Sequence, residues 1–459
     1  MNSSRDLEIL LRDAAERGIR YRKESTERSV QPAADAVQAL DAFIEPLPED
    51  GMPDAEVIAK LDALGSAASC VMSGPRFFGF VIGGSFPVTV ASNWLATAWD
   101  QNVAMHQVTP AAATLERVSG EWMIDMLGLA PGSAVSFVTG ATVANFTALA
   151  AARNKVYADI GWDVEAEGLI GAPEVRVIIG NEAHPTLTKA LGMLGFGRER
   201  AIRVPVDDQG RMRADAVPEI DGPAIVCTQA GNINTGSFDP VGEICDIVRP
   251  KGAWVHVDGA FGLWAGASEQ LQYLVEGIEK ADSWATDAHK WLNVPYDCGL
   301  AFVREPQALR SAMSITADYL ITKSELRNPS DYTPELSRRG RGIDVWAALR
   351  SLGRRGVAEL IERCCAHARR FAEGFSEAGY EVLNDVVLNQ VLVSFGEPEM
   401  TLNVIEAIQH DGTCWCGSTV WQGRTAMRIS VSNWSTTDDD VEKSLAVMLT
   451  LADQLKAGK

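Results

Sequence analysis

The chain has 459 residues, 46% hydrophobic and 22% charged, the balance of a globular protein long enough for more than one domain. Its 61 acidic and 41 basic residues give a net charge of −20, the wrong sign for a phosphate-backbone binder, and the cluster Arg338, Arg339 and Arg341 is too short to reverse it. No stretch reaches the roughly 18 uncharged apolar residues of a membrane helix, so neither nucleic acid nor membrane is expected as a partner.

The N-terminus, MNSSRDLEILLRDAAERGIRYRKE, reads as an amphipathic helix with both charge signs and no apolar leader core, which predicts a cytoplasmic protein. The later segment GPRFFGFVIGGSFP is too apolar for solvent and is expected to pack on a larger domain or on a second subunit. Between about 130 and 305 the runs VSFVTG, VRVIIG, AIVCTQAG, AWVHVDGA, DSWATDAHK and CGLAFV alternate with helical patterns. Near-continuous apolarity implies strands covered on both faces, hence a largely parallel α/β sheet. Ligands gather at the carboxyl ends of such strands.

From about 307 to 340 the pattern loosens into LITKSELRNPSDYTPELSRRG, polar enough for a lid or a domain joint. A smaller unit follows. It comprises a helix at GVAELIERCCAHARRFAEGF, strands at VVLNQVLVSF and TAMRISVSNW, and a closing helix that Thr437 caps with Asp440 as its box partner. The expected division is an N-terminal helical segment over 1–90, a large domain over 91–340 and a small C-terminal α/β domain over 341–459. The eight cysteines form no CxxC pair; Cys414 and Cys416 flank one tryptophan, as on one face of a strand. Buried free thiols in a reducing compartment are expected, with no metal site.

Four elements carry chemistry. The first is VTGATVANFTALAAAR, residues 138–153, a strand ending in a small-residue turn that opens a helix; its free N–H groups and the Thr142 hydroxyl suit a phosphate. The second is Asp258 of HVDGA, a carboxylate at the end of a hydrophobic strand that needs a donor or cation beside it. Third comes Lys290, among Ala288, Trp291 and Leu292, where apolar surroundings make a lysine a nucleophilic amine able to form a Schiff base. The fourth is His184 of NEAHPTL, a flat stacking partner and proton carrier. Each has a plainer reading: an ordinary turn, a helix cap, a surface lysine, a core histidine. Together, a phosphate site, a carboxylate for a ring nitrogen, an amine for an aldehyde and a stacking ring match the needs of pyridoxal 5'-phosphate.

VHVDGA followed by DSWATDAHKWLNVPYDCG resembles the group II pyridoxal-dependent amino acid decarboxylases, the family of the aromatic L-amino acid, histidine and glutamate enzymes. The resemblance runs from PRFFGF near 75 to TAMRIS near 430. It implies the fold-type I, aminotransferase-like architecture, with a seven-stranded large domain, a small domain and a homodimer with active sites at its interface. By the same resemblance Lys290 would hold the cofactor as an imine and Asp258 would meet its pyridine nitrogen. Ala260 and His184 would lie against its two faces, and Ala141, Thr142 and His289 would meet its phosphate. Asp287 stands where the family often has Asn.

The implied activity is decarboxylation of an L-amino acid to an amine and CO2; the alternative is an aminotransferase or aldolase acting at the same carbon. Arg428 of AMRIS marks this fork, because a guanidinium holding the substrate carboxylate in the ring plane would disfavour its loss. A structural role for Arg428 leaves decarboxylation standing. Tyr332 of NPSDYTPELSRRG is placed as the loop tyrosine that returns a proton, although this loop is shorter than the family's. Phe78, Phe86 and His106 are expected at the substrate side chain, and AGNINTGSFD puts Asn232 or Asn234 where relatives have a GTT-type stretch.

Overall fold

The computed structural model describes residues 4–315 and 326–458; residues 316–325 of the polar loop lie outside the described residues. Seven strands form the main sheet: β1 (Ala134–Val138), β2 (Arg176–Gly180), β3 (Ile202–Val204), β4 (Ala224–Gln229), β5 (Trp254–Asp258), β6 (Ser283–Asp287) and β7 (Gly299–Val303). Their order is β1-β7-β6-β5-β4-β2-β3, with β7 antiparallel to both neighbours and every other pair parallel. Every residue of β1, β4, β5, β6 and β7 is buried, which is why these runs are apolar without alternation. The helix Ala141–Asp159 leaves β1 and packs across β5, β6 and β7. β5 and β6, adjacent and parallel, end in Asp258 and Asp287, so one edge of the sheet carries two carboxylates side by side.

A second, antiparallel sheet orders β10 (Gly417–Trp421), β11 (Arg424–Ser430), β9 (Gln390–Ser394) and β8 (Glu381–Val382). The helix Gly342–Glu377 joins the two units. Asp344 near its start accepts from Ser92 and Asn93 of the helix Pro87–Trp99, Arg370 near its end pairs with Glu442, and Gly353 at φ 62° interrupts it. The closing helix Asp438–Ala457 begins with the expected Thr437–Asp440 capping box. β3, β8 and β10 are additions to the sequence reading; β8 has only two residues. β3 has only three residues, and β10 is a half-exposed strand on the rim of its sheet, so none of them leaves the apolar signature of a central strand.

The apolar segment before residue 87 does not simply lie on the large unit. Phe78 donates its N–H to the Trp415 carbonyl and accepts from Ser430 N–H, while Phe77 stacks on Trp415 at 5.0 Å, so this stretch extends the small unit. It then turns over the Lys290 loop. Gly84 N–H reaches Asn293 Oδ1 at 2.6 Å, and a Cβ on Gly83 would lie 1.8 Å from the Lys290 carbonyl oxygen.

Candidate active site

Asp258, at the end of β5, is buried; Asn145 of the helix Ala141–Asp159 donates Nδ2–H to its Oδ2 at 3.1 Å, and Ala260 N–H reaches Oδ1 at 3.3 Å. Burial pushes the Asp258 carboxyl up, opposed by nearby His184, Lys290 and the Asn145 hydrogen bond. Lys290 stands three residues beyond β6. Its neighbours Ala288, Trp291 and Leu292 are buried as expected, but the amine itself is not in apolar surroundings: Asp287 Oδ2 lies 3.0 Å from Nζ. The other oxygen of Asp287 accepts Ala141 N–H at 2.6 Å. Asp287 therefore ties the lysine to the start of the helix.

At that helix start the first-turn N–H groups have no carbonyl partner within the helix; Ala141 N–H is taken by Asp287, which leaves those of Thr142 and Val143 for an anion. His289 accepts Cys298 N–H on Nδ1 at 3.1 Å, packs 4.3 Å from the Tyr296 ring, and sets Nε2 3.6 Å from Asp287 Oδ1. Burial holds its pKa below the ordinary imidazole value. His184 caps the helix Pro185–Met193. Its Nδ1 receives Thr186 N–H at 3.3 Å, so that nitrogen is the acceptor and the ring proton is on Nε2. Burial lowers this imidazole's pKa too.

Gly140, Ala141, Thr142, His184, Asp258, Ala260, Asp287, His289 and Lys290 line one cavity of about 180 Å³. A larger cleft of about 620 Å³ adjoins it, sharing His184 and Lys290 and walled by Phe80, Val81, Ile82, Tyr296, Val420, Trp421, Glu182, Asn234 and Arg428. Arg428 donates to the Ile233 carbonyl at 3.2 Å and has no ion-pair partner among the described residues; burial lowers its pKa. Glu182 accepts from Asn232 and Trp421 at 3.0 Å and from Gln422 at 3.2 Å. Asn232 thus braces the cleft wall, and Asn234 receives the Thr419 hydroxyl at 2.9 Å.

Four expected residues are placed elsewhere. Phe78 is buried against Phe371, 5.1 Å away, and Phe86 stacks on Trp434 at 5.1 Å. The phenylalanine of this segment at the cleft is Phe80, at a φ of 55°, beside Tyr296 and Trp421. His106 lies in a turn, its N–H on Asn328 Oδ1, and lines neither cavity. Tyr332 also lines neither; it packs under the Arg327 guanidinium, 4.2 Å from the ring centroid, in the turn Pro329–Tyr332 against β1. The sequence reading missed Asn145 and His256. The signal was present, since His256 and Asp258 are two apart on one strand and share a face.

The donor set fits pyridoxal phosphate. An amine, a buried carboxylate, a helix start with open N–H groups and a neutral imidazole wall surround a single cavity. A family model for the pyridoxal-dependent decarboxylase conserved domain matches residues 64–396. The chain belongs to the pyridoxal-dependent decarboxylase family. It is an enzyme that uses pyridoxal phosphate to decarboxylate an amino acid.

The chain is 26% identical over 451 residues to an aromatic-L-amino-acid decarboxylase of Bacillus atrophaeus, covering 93% of this chain and 92% of that one. It is 30% identical over 325 residues to the acidic amino acid decarboxylase GADL1 of Xenopus tropicalis, over 68% of this chain and 63% of that protein. Its fold matches Oryza sativa TDC, solved with PLP and tryptamine, at a TM-score of 0.91 and 21% identity, over 99% of both chains. Among the described residues no helix is long and apolar enough to cross a membrane.

Proposed function

We propose that the enzyme acts on an L-amino acid with a flat, neutral side chain, and that the lining of the larger cleft carries this reading. Phe80, Val81, Ile82, Tyr296, Val420 and Trp421 make its walls apolar, while Glu182 adds a fixed negative charge. Its cations are Lys290 and Arg428. With Lys290 committed to the cofactor and Arg428 tied to the Ile233 carbonyl, a side-chain carboxylate would meet the negative Glu182 in the cleft. Carbon dioxide release should be measured across the common amino acids and their aromatic derivatives. Aromatic L-amino acids are expected to lead; faster turnover of glutamate, aspartate or cysteine sulfinate overturns the reading.

Bound pyridoxal phosphate supplies an aldehyde for an amine and a ring that takes up the electron pair left at Cα when CO2 departs. Lys290 would supply that amine, which Asp287 orients at 3.0 Å from Nζ. Asp258 would hold a proton on the ring nitrogen through its carboxylate charge. His184 and Ala260 would close the two faces of the ring, and the helix start at Ala141 and Thr142, with His289 beside it, would hold the phosphate. Arg428 stays tied to the Ile233 carbonyl as part of the cleft wall, the structural role that leaves decarboxylation standing. Lys290→Ala tests the assignment: it should abolish turnover and the visible band of the bound cofactor, and a coloured, active variant sinks it.

The unit boundaries 1–90, 91–340 and 341–459 belong to the same proposal, supported by two separate sheets joined through one long helix. So does a homodimer with active sites at the interface. It is supported by Trp94, Leu95 and Trp99, which stand 45%, 55% and 46% exposed on the helix Pro87–Trp99. Tyr332, remote from the cleft of its own chain, then reaches substrate only across that interface. A cytoplasmic setting is supported by eight cysteines that are all free thiols.

A further inference from the structure

Behind Asp258 runs a buried chain of polar side chains with no part in binding that has been described so far. Asn145 Nδ2 meets Asp258 Oδ2 at 3.1 Å, and Asn145 Oδ1 meets His256 Nε2 at 2.9 Å. His256 Nδ1 meets Ser283 Oγ at 2.9 Å, and Ser283 Oγ meets Trp254 Nε1 at 2.9 Å. Asn145, His256 and Ser283 have no measurable exposure, and Trp254 is 7% exposed. The series crosses from β5 and β6 to the helix Ala141–Asp159.

The direction of every link follows from what each group can do. Indole N–H only donates, so Ser283 Oγ accepts from Trp254. An ionised carboxylate only accepts, so the Asn145 amide nitrogen faces Asp258 and its carbonyl faces His256. That carbonyl needs a donor, which puts the imidazole proton on Nε2. His256 Nδ1 then has a lone pair and accepts the Ser283 O–H. All four links donate toward Asp258. Burial keeps His256 neutral, its pKa pushed down to about 3, as a one-proton relay unit must be.

We infer that Trp254, Ser283, His256 and Asn145 form a one-way hydrogen-bond chain whose aligned dipoles hold Asp258 as an oriented anion toward the cofactor's ring nitrogen. Asn145 and His256 are positioning residues that act through Asp258. Aligned donors strengthen one another in a low-dielectric interior, and they offset the desolvation that would otherwise favour a neutral carboxyl. The inference rests on the reading that Asp258 meets the ring nitrogen.

Two measurements test it. In apoprotein with 15N-labelled histidine rings, with the His256 signals identified by their loss in His256→Gln, His256 should be the neutral Nε2–H tautomer from about pH 5 to 8. An Nδ1–H tautomer or an imidazolium overturns the chain without reference to the cofactor. In Asn145→Leu, which fills a similar volume without polar atoms, the Kd for pyridoxal phosphate should rise about tenfold or more, with a changed visible band. Wild-type affinity and spectrum in that variant overturn the inference, and if the variant does not fold, the tautomer in the wild-type chain decides. Failure of the underlying reading has a separate signature: Asp258→Asn would bind pyridoxal phosphate with wild-type affinity and colour.

Discussion

Asp287 accepts the Ala141 N–H at 2.6 Å, placing a carboxylate on the helix start that the phosphate is proposed to use. Two anions at one helix terminus repel, whereas an amide keeps an acceptor for Ala141 without the charge. Asp287→Asn should therefore lower the Kd for pyridoxal phosphate severalfold and also free the Lys290 amine. Equilibrium titration of apoenzyme with the cofactor checks this, and weaker binding counts against a shared site.

Glu116 and Arg338 form a bidentate pair at 2.6 and 2.7 Å, with side chains 1% and 2% exposed. Removing one partner strands the other charge in the interior. Glu116→Ala should cost about 3–5 kcal/mol of stability, read from the urea midpoint of the apoprotein; a change below about 1 kcal/mol would mean that water reaches Arg338.

His256 gives acid sensitivity a sign. Its pKa is about 3 in the folded protein because of burial, against about 6.5 for an unfolded chain. Between those values the unfolded state binds a proton that the folded state excludes, so this contribution to stability is lost as pH falls below about 6.5. At pH 5 the loss amounts to about 2 kcal/mol. His256→Gln, which has no imidazole to protonate, should show a shallower decline from pH 7 to 5 than wild type in parallel denaturation series. Asp239, pushed up by burial to about 7, works the opposite way in both proteins and drops out of the difference.

Tyr332→Phe separates a catalytic tyrosine from a packing one. If its hydroxyl returns a proton across the subunit interface, the variant should release aldehyde at the expense of amine, measured by product ratio at full cofactor loading. An unchanged ratio leaves Tyr332 as the ring beneath Arg327.

The amine and the charged groups proposed to hold the cofactor were legible because one short motif carries each of them. Lys290, Asp258, His184 and the turn at Ala141 lie at strand ends, where strand order alone brings them together. The cleft walls were legible only in part: Arg428 lines the cleft as expected, but most of its partners gave no signal. Glu182, Tyr296 and Trp421 come from three loops or strand ends that only the tertiary fold brings together, and Phe80 is turned into place by a backbone angle with no residue signature. Phe78 and Phe86 read as pocket residues because they are aromatic and near the right place, yet each satisfies a core contact instead. In the large sheet the buried strands announced themselves by unbroken apolarity, whereas the three-residue β3 had too little length to show any pattern.

The strap over Lys290 bears on the order in which the enzyme is made. Gly83, from the first fifth of the chain, presses on the lysine loop, and Arg428, from the last tenth, closes the cleft. During synthesis the strap and the central sheet are both made before the wall that contains Arg428, which arrives last. A nascent chain halted before β11 would hold the Lys290 amine with one side of its enclosure still missing.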